Sequence, residues 1–358
     1  MDPKVSTSTR RRRSLRAGGP IRLRVRSISD SHRTCRQPRS TEHQMTARDE
    51  MAREIRRHER TEATRRTLRR IGVFVVFLVI LALAYTGYKA FGQSLDDAQT
   101  DWPMIGRVLP RTDDLTMPPV SDIISEFTQP PQRNSDKPLA AFIAEAALFT
   151  MREAVLGFAF GVIFGLGIAV VLLRSKWIEQ GVTPYLVASQ TVPLVAIAPI
   201  VIIWGSTSLD WLPFEWTNWM SVSLIAAYLT FFPVAMNGIR GLRSADPAAM
   251  ELMRSYAATR RQTLVKLQLP ASVPYLFAAF KIAATAAIVG AIVGEISGGV
   301  RGGLGRLILD FASRYTTGPS RLYATVIGAA LLGLIAIGLV TAAEYLVLSK
   351  RKEEPLAL

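Results

Sequence analysis

The chain has 358 residues, 49% of them hydrophobic, and a formal net charge of +15. In a soluble protein that charge points to an acidic partner such as nucleic acid. Here the basic residues crowd into the first 70 positions, and long apolar runs separated by short charged loops follow Arg70, a pattern that excludes a nucleic-acid-binding domain and reads as a membrane protein.

Residues 1–44 carry Arg10 to Arg13 among Ser, Thr, Gly and Pro with little apolar periodicity. Such a composition buries too little surface to fold alone and predicts a disordered Arg-rich tail. It is a poor secretory signal, because the first apolar run begins only at Ile71. Residues 45–70 alternate both charge signs at helical spacing, as a cytoplasmic basic amphipathic segment does. Two readings of this start stand side by side: Met45 as the first residue of the natural chain, or a basic tail resting on anionic lipid.

Six apolar segments follow, at about 71–91, 150–173, 182–204, 219–239, 274–296 and 322–348, and each approaches or reaches the length of a membrane crossing. Backbone polar groups must be satisfied internally in lipid, so all six are predicted to be helices, an all-α polytopic membrane protein. Counting Lys and Arg beside each segment sets the orientation. Arg65, Arg66, Arg69 and Arg70 place the N-terminus in the cytoplasm, and the acid-rich stretch 92–138 is expected outside. Arg174 and Lys176 return the chain to the cytoplasm. The following loop has no Lys or Arg, and its Trp204, Trp211, Trp216 and Trp219 suit the outer interface. Arg240, Arg243, Arg254, Arg260, Arg261 and Lys266 mark a cytoplasmic loop, and Lys350, Arg351 and Lys352 begin a cytoplasmic tail, 351–358. Only Arg301, Arg306 and Arg314 break the rule.

Histidine and cysteine chemistry is confined to the start of the chain. Cys35, His32, His43 and His58 all precede the first apolar run, so no disulfide framework, thiolate metal cluster or Ser/His/Asp or Cys/His nucleophile is available in the membrane domain. No cofactor, metal or catalytic residue is expected, and the chain is not expected to be an enzyme.

The informative loop runs from Ala245 to Tyr275. Asp246 followed by Pro247 predicts an N-cap with proline at the first helical position, opening a short helix to about Ala257. Thr259 and Gln262 have capping-box spacing and open a second. Leu269, ahead of Pro270, is expected to leave helical geometry and end it. This elbow presents Met250, Met253 and Ala257 as an apolar ridge beside Glu251 and Arg254, suited to a groove on a partner. The ridge packing instead on the protein's own helices is the competing reading.

The loop 245–270 resembles the EAA loop of ABC importer permeases, whose pattern is Glu-Ala-Ala, three residues, Gly, nine residues, Ile, one residue, Leu-Pro. Glu251, Leu267, Leu269 and Pro270 fall at its spacing; Leu252 and Met253 replace the alanines and Ala257 the glycine. Glycine there permits a sharp turn that alanine is expected to make only with negative φ. The resemblance covers the permease domain, 139–350, and is strongest to the nitrate, sulfonate and taurine branch. The run from Val192 matches with Pro193 and Pro199, that from Leu269 with Lys281, and that from Ile292 with Glu295, Gly303 and Gly305. Glu153 departs, standing where the branch usually has arginine, beside Arg152.

The resemblance implies a six-helix, type I importer fold in a bacterial inner membrane. It also implies a separate ATP-binding subunit, a solute-binding protein outside and a second permease chain, with a homodimer expected. The loop from Asp246 to Pro270 would couple to the ATPase. Cargo would be a nitrate-, sulfonate- or taurine-like anion or a pyrimidine or riboflavin-type vitamin precursor. Glu295, Gly303, Gly305, Pro193 and Pro199 are candidates for the pathway or a gate, with an interfacial site the competing reading for Glu295. Lys281 is expected to snorkel to headgroups. The glycines from Gly298 to Gly305 lack the spacing and lysine of a phosphate loop and predict a re-entrant or tightly turned segment. The alternative from another class is an ion-gradient-driven transporter, whose usual signs, paired intramembrane charges and half-repeats with broken helices, are not evident in the sequence.

Overall fold

The structure, a computed structural model, describes residues 65, 68–69, 72–94, 112–131, 135–208, 213 and 215–352, without the side chains of 350–352. The expectations for 1–44, for most of 45–70, for Trp211 and for the tail lie outside these residues. The chain divides into two units, Met1–Val76 and Phe77–Leu358, and the packing described below is that of the second.

Every regular element among the described residues is helical. Helix α1 is Gly72–Ser94, α2 is Val120–Glu126, α3 Leu139–Leu173, α4 Lys176–Ser189, α5 Leu194–Ser208 and α6 Asn218–Leu242. The elbow holds α7, Pro247–Ser255, and α8, Arg260–Thr263. After them come α9, Leu269–Gly298, α10, Leu304–Ser313, and α11, Pro319–Lys352. Five helical runs are long and apolar enough to cross a membrane: Gly72–Ser94, Leu139–Leu173, Asn218–Leu242, Arg260–Gly298 and Pro319–Ser349. The 35 residues of α3 extend about 52 Å at the helical rise, well beyond a hydrocarbon core of about 30 Å.

The third expected span, 182–204, is not one helix. It is broken between α4 and α5, which are bent by 93°. Pro193 supplies the reason: it lacks an N–H and pushes the residue before it out of helical geometry, so α4 stops and α5 restarts at Leu194. With this pair counted as one span, the candidate spans number six, as expected.

Small residues set the core. Gly157, Gly161 and Gly165 recur every fourth position on α3, and a Cβ at each would lie 2.4 Å from Ala226 Cβ, 2.5 Å from Thr230 Cβ and 2.6 Å from the Phe231 carbonyl oxygen, respectively. The two backbones therefore touch along a stripe, as small-residue interfaces in membranes allow where a larger side chain would separate them. Contacts advance along both helices together, so α3 and α6 run parallel. Helix α9 runs against them, with Gly290 on Ala226, Gly294 on Val222 and, towards the other end, Gly241 of α6 on Ser272. The C-terminal ends of α3 and α6 thus share one end of the bundle with the start of α9, and the elbow closes that end. The bidentate pairing of Arg243 with Glu179 (Nη1 2.8 Å, Nη2 2.5 Å) ties α4 there too.

Towards the opposite end, residues 112–118 clasp two spans. Tyr85 of α1 donates to the Pro118 carbonyl at 2.9 Å, Lys89 pairs with Asp114 at 2.7 Å, and Tyr323 of α11 donates to the Thr116 carbonyl at 2.9 Å. Lys89 is buried while Asp114 is exposed, and the ammonium holds the Asp114 carboxyl below its ordinary range.

Candidate functional site

Two constellations occupy opposite ends of the bundle. The first is the elbow. Asp246 caps α7, its carboxyl accepting from the Ala248 N–H at 3.0 Å with Pro247 in the first turn. The capping box also forms: the Gln262 N–H donates to Thr259 Oγ1 at 3.3 Å and the Thr259 N–H to Gln262 Oε1 at 2.8 Å. These local expectations hold because each needs only neighbouring residues.

Two others fail. Ala257 turns the chain with φ of +50°, the left-handed conformation expected to be closed to it. The turn is held from both sides, by the Ala257 N–H to the Arg254 carbonyl at 2.9 Å and the Ala258 N–H to Met253 at 2.9 Å, contacts that offset a left-handed strain of about 1–2 kcal/mol. Leu269 also stays helical, at φ −62° and ψ −47°. Residues Leu264–Gln268 form a wide π turn closed by the Leu269 N–H on the Leu264 carbonyl. Widening the turn ahead of Pro270 lets the backbone pass the proline ring without breaking. The elbow therefore feeds one continuous helical run, Arg260–Gly298.

On α7, Met250 and Met253 are half-buried, and Met250 and Arg254 line a groove against α3 and α8. Glu251, Leu252, Ser255 and Tyr256, which lie together on the other side of the helix, are exposed, Tyr256 to 77%. Of the remaining expected site residues, Arg254 and Ala257 are exposed and Leu267, Leu269 and Pro270 half-buried.

The second constellation joins α3, α9 and α10. Glu295 is fully buried. The Thr150 hydroxyl donates to its Oε1 at 2.7 Å, and the Gly305 N–H to its Oε2 at 2.5 Å. The Leu304 N–H donates in turn to Thr150 Oγ1 at 2.9 Å. The first N–H groups of α10, which have no partner inside that helix, are thus satisfied by α3 and α9. Glycine is required at the contact: a Cβ on Gly303 would sit 2.0 Å from Glu295 Oε1, and one on Gly305 2.4 Å from the Ile292 carbonyl oxygen. The chain reaches this point through left-handed turns at Gly299 (φ +63°) and Gly302 (φ +107°). The tight turn between Gly298 and Gly303 was expected; the ten-residue helix after it was not.

Structure brings Glu295, Gly303 and Gly305 together, but not Pro193 and Pro199. Pro193 is exposed at the break between α4 and α5, and Pro199 lies half-buried inside α5. Sequence reading missed Thr150, which no local motif marks. Glu153 stands beside Glu295, near enough for the two carboxyls to interact electrostatically. It is fully buried, and neither of its oxygens has a hydrogen-bond partner among the described residues. The neighbouring Arg152 stacks over the Trp219 ring at 3.9 Å and the Phe149 ring at 5.7 Å.

A charge pair does join two of the spans, against expectation. Lys281 of α9 does not run free to headgroups but pairs with Glu344 of α11 at 2.5 Å. Opposite charges on neighbouring helices satisfy each other and lower the cost of placing either near lipid.

These features describe a multi-pass helical membrane protein with an exposed elbow at one end. The chain belongs to the family of binding-protein-dependent transport system inner membrane components, whose model matches residues 159–351. It is 31% identical over 153 residues to the formylaminopyrimidine transport permease protein ThiX of Halalkalibacterium halodurans, covering 41% of this chain and 57% of that protein. It is 35% identical over 119 residues to the riboflavin transport system permease protein RibX of Chloroflexus aurantiacus, covering 32% of this chain and 41% of that one. The chain therefore spans about half the length of the curated relatives it matches. A solved structure of the MetNI methionine ABC transporter aligns with a TM-score of 0.48 at 18% identity, covering 58% of this chain and 99% of that chain.

Proposed function

We propose that this chain is the membrane-spanning permease subunit of an ATP-binding cassette importer, coupled to a separate ATPase through the elbow. The observation that carries this reading is the geometry of α7. It is a capped helix whose outward face bears the exposed Glu251, Leu252, Ser255 and Tyr256, while Met250 and Met253 on its other side are half-buried, and it leads into a continuous 39-residue helical run. A small amphipathic face with exposed Leu and Tyr beside a carboxylate fits a groove on a partner. Pushing on it tilts a rigid helix that packs along α6, a lever for alternating access.

Basic residues favour the elbow end as cytoplasmic, with both termini on that side and Arg301, Arg306 and Arg314 outside. A solute-binding protein would dock at that outer end. One elbow per chain serves half of a two-fold ATPase dimer, so a second copy of this chain completes the pathway. Glu295, Gly303 and Gly305 act as a brace that fixes α10 to α3 and α9 and not as pathway residues, because the Glu295 oxygens are engaged inside the protein. The relatives named for formylaminopyrimidine and riboflavin support a small heterocyclic vitamin precursor, and the resemblance to the sulfonate and taurine branch supports a small anion; the ligand retained by the companion binding protein distinguishes them.

The test is reconstitution of the chain with its neighbouring ATPase and binding protein in proteoliposomes. Uptake should require ATP and all three components. Uptake driven by an ion gradient without the ATPase would overturn the reading.

A further inference from the structure

At the elbow end, a groove of about 640 Å³ opens between the end of α3 and the chain entering α9. Its floor includes Leu173 and Leu264, and Arg174, Arg254, Arg260 and Arg261 line it as well. All four arginines are exposed, and none pairs with a carboxylate among the described residues. Four like charges around one concavity repel each other unless an anion joins them, and guanidinium groups match phosphate geometry.

Position selects the anion. Leu173 is the last residue of a membrane-length helix and Arg174 its cap, while Arg260 opens another such run. The apolar run of α3 ends at the groove, whose apolar floor includes Val170 as well as Leu173. A ligand that meets both halves has an anionic head and an apolar tail. The arginines also fall on the side of α7 that carries Met250 and Arg254, roughly opposite the face proposed to meet the ATPase.

We propose that this groove binds the phosphate of an anionic phospholipid, its acyl chain lying against Leu173 and Leu264, and that the bound lipid braces the elbow against α3. Each arginine near an anionic headgroup contributes about five-fold in affinity.

The test uses the purified full chain in detergent, with and without its ATPase, probed by native mass spectrometry and thermal melting. Phosphatidylglycerol should be retained and raise the melting temperature, whereas phosphatidylcholine of the same chains, glycerol 3-phosphate and inorganic phosphate should not. Arg174→Gln, outside the coupling loop, should weaken phosphatidylglycerol retention about five-fold while the ATPase still co-purifies, and Arg174→Gln with Arg261→Gln should weaken it about twenty-five-fold. Should a variant fail to fold, stripping of phosphatidylglycerol from the parent by high salt serves as the second readout. Equal retention of both lipids, or retention unchanged by salt, would overturn the proposal. So would variants that keep the lipid and lose the ATPase, since the groove would then be a contact for that subunit.

Discussion

Replacing Thr150 with valine keeps the volume of the side chain and removes one hydroxyl on which two others depend. Oγ1 donates to Glu295 at 2.7 Å and accepts from the Leu304 N–H at 2.9 Å, and Thr150 is fully buried. The variant leaves a carboxyl oxygen and a backbone N–H buried without that partner, at roughly 1–3 kcal/mol each. A loss of about 3 kcal/mol follows for Thr150→Val. Thr150→Ser retains both bonds and gives up one methyl, about 1 kcal/mol. Unfolding in mixed detergent micelles measures the difference, and amide exchange locates it, since the Leu304 and Gly305 amides should lose protection in the valine variant alone. If the two variants unfold within 1 kcal/mol of each other and exchange at Leu304 is unchanged, the hydroxyl is not what anchors α10.

At Gly161, a Cβ would meet Thr230 Cβ at 2.5 Å and the Ala227 carbonyl oxygen at 2.8 Å. Gly161→Val should therefore separate α3 from α6 and lower unfolding stability by more than 3 kcal/mol, whereas Gly167→Ala, with open space around it, should be neutral. Ala257→Gly relieves a left-handed alanine and should match the parent or exceed it by about 1 kcal/mol in the same unfolding assay. Asp114→Asn leaves the buried Lys89 ammonium unpaired and should raise amide exchange around residues 112–118. The sign with pH follows from the depressed Asp114 carboxyl: the tie is complete at neutral pH and is lost only as pH falls below the ordinary carboxylate range, so loosening at pH 6 would contradict it.

Local rules account for what could be read in advance. The spans follow from apolar length, with 71–91 found as Gly72–Ser94, and the Asp246 and Thr259 caps follow from residues two or three positions away. What escaped depends on partners distant in sequence. Thr150 and Glu295 lie 145 positions apart, and no periodicity in α3 says which helix its glycine stripe will meet. Lys281 and Glu344 each look like an isolated charge until α9 and α11 are side by side. Leu269 shows a different failure: the rule for a residue before proline is sound for a plain helix, and a π turn ahead of it changed the premise. Pro193 is legible as a motif residue, but the 93° break beside it is a feature of how α4 and α5 are arranged in space.

The central claim is that the outward face of α7 is where the ATPase docks. Cys35 is the chain's only cysteine, so a Cys35→Ser background carrying Tyr256→Cys or Leu252→Cys places one thiol on that face. In native membranes containing the ATPase, each should form a crosslink to it with a short bifunctional thiol- and amine-reactive reagent. Val289→Cys, on an exposed part of α9 within the membrane span, should not. Adding Glu251→Lys should abolish both the crosslink and ATP-driven uptake at equal expression. Crosslinking and uptake that persist undiminished in the Glu251→Lys chain would contradict the account.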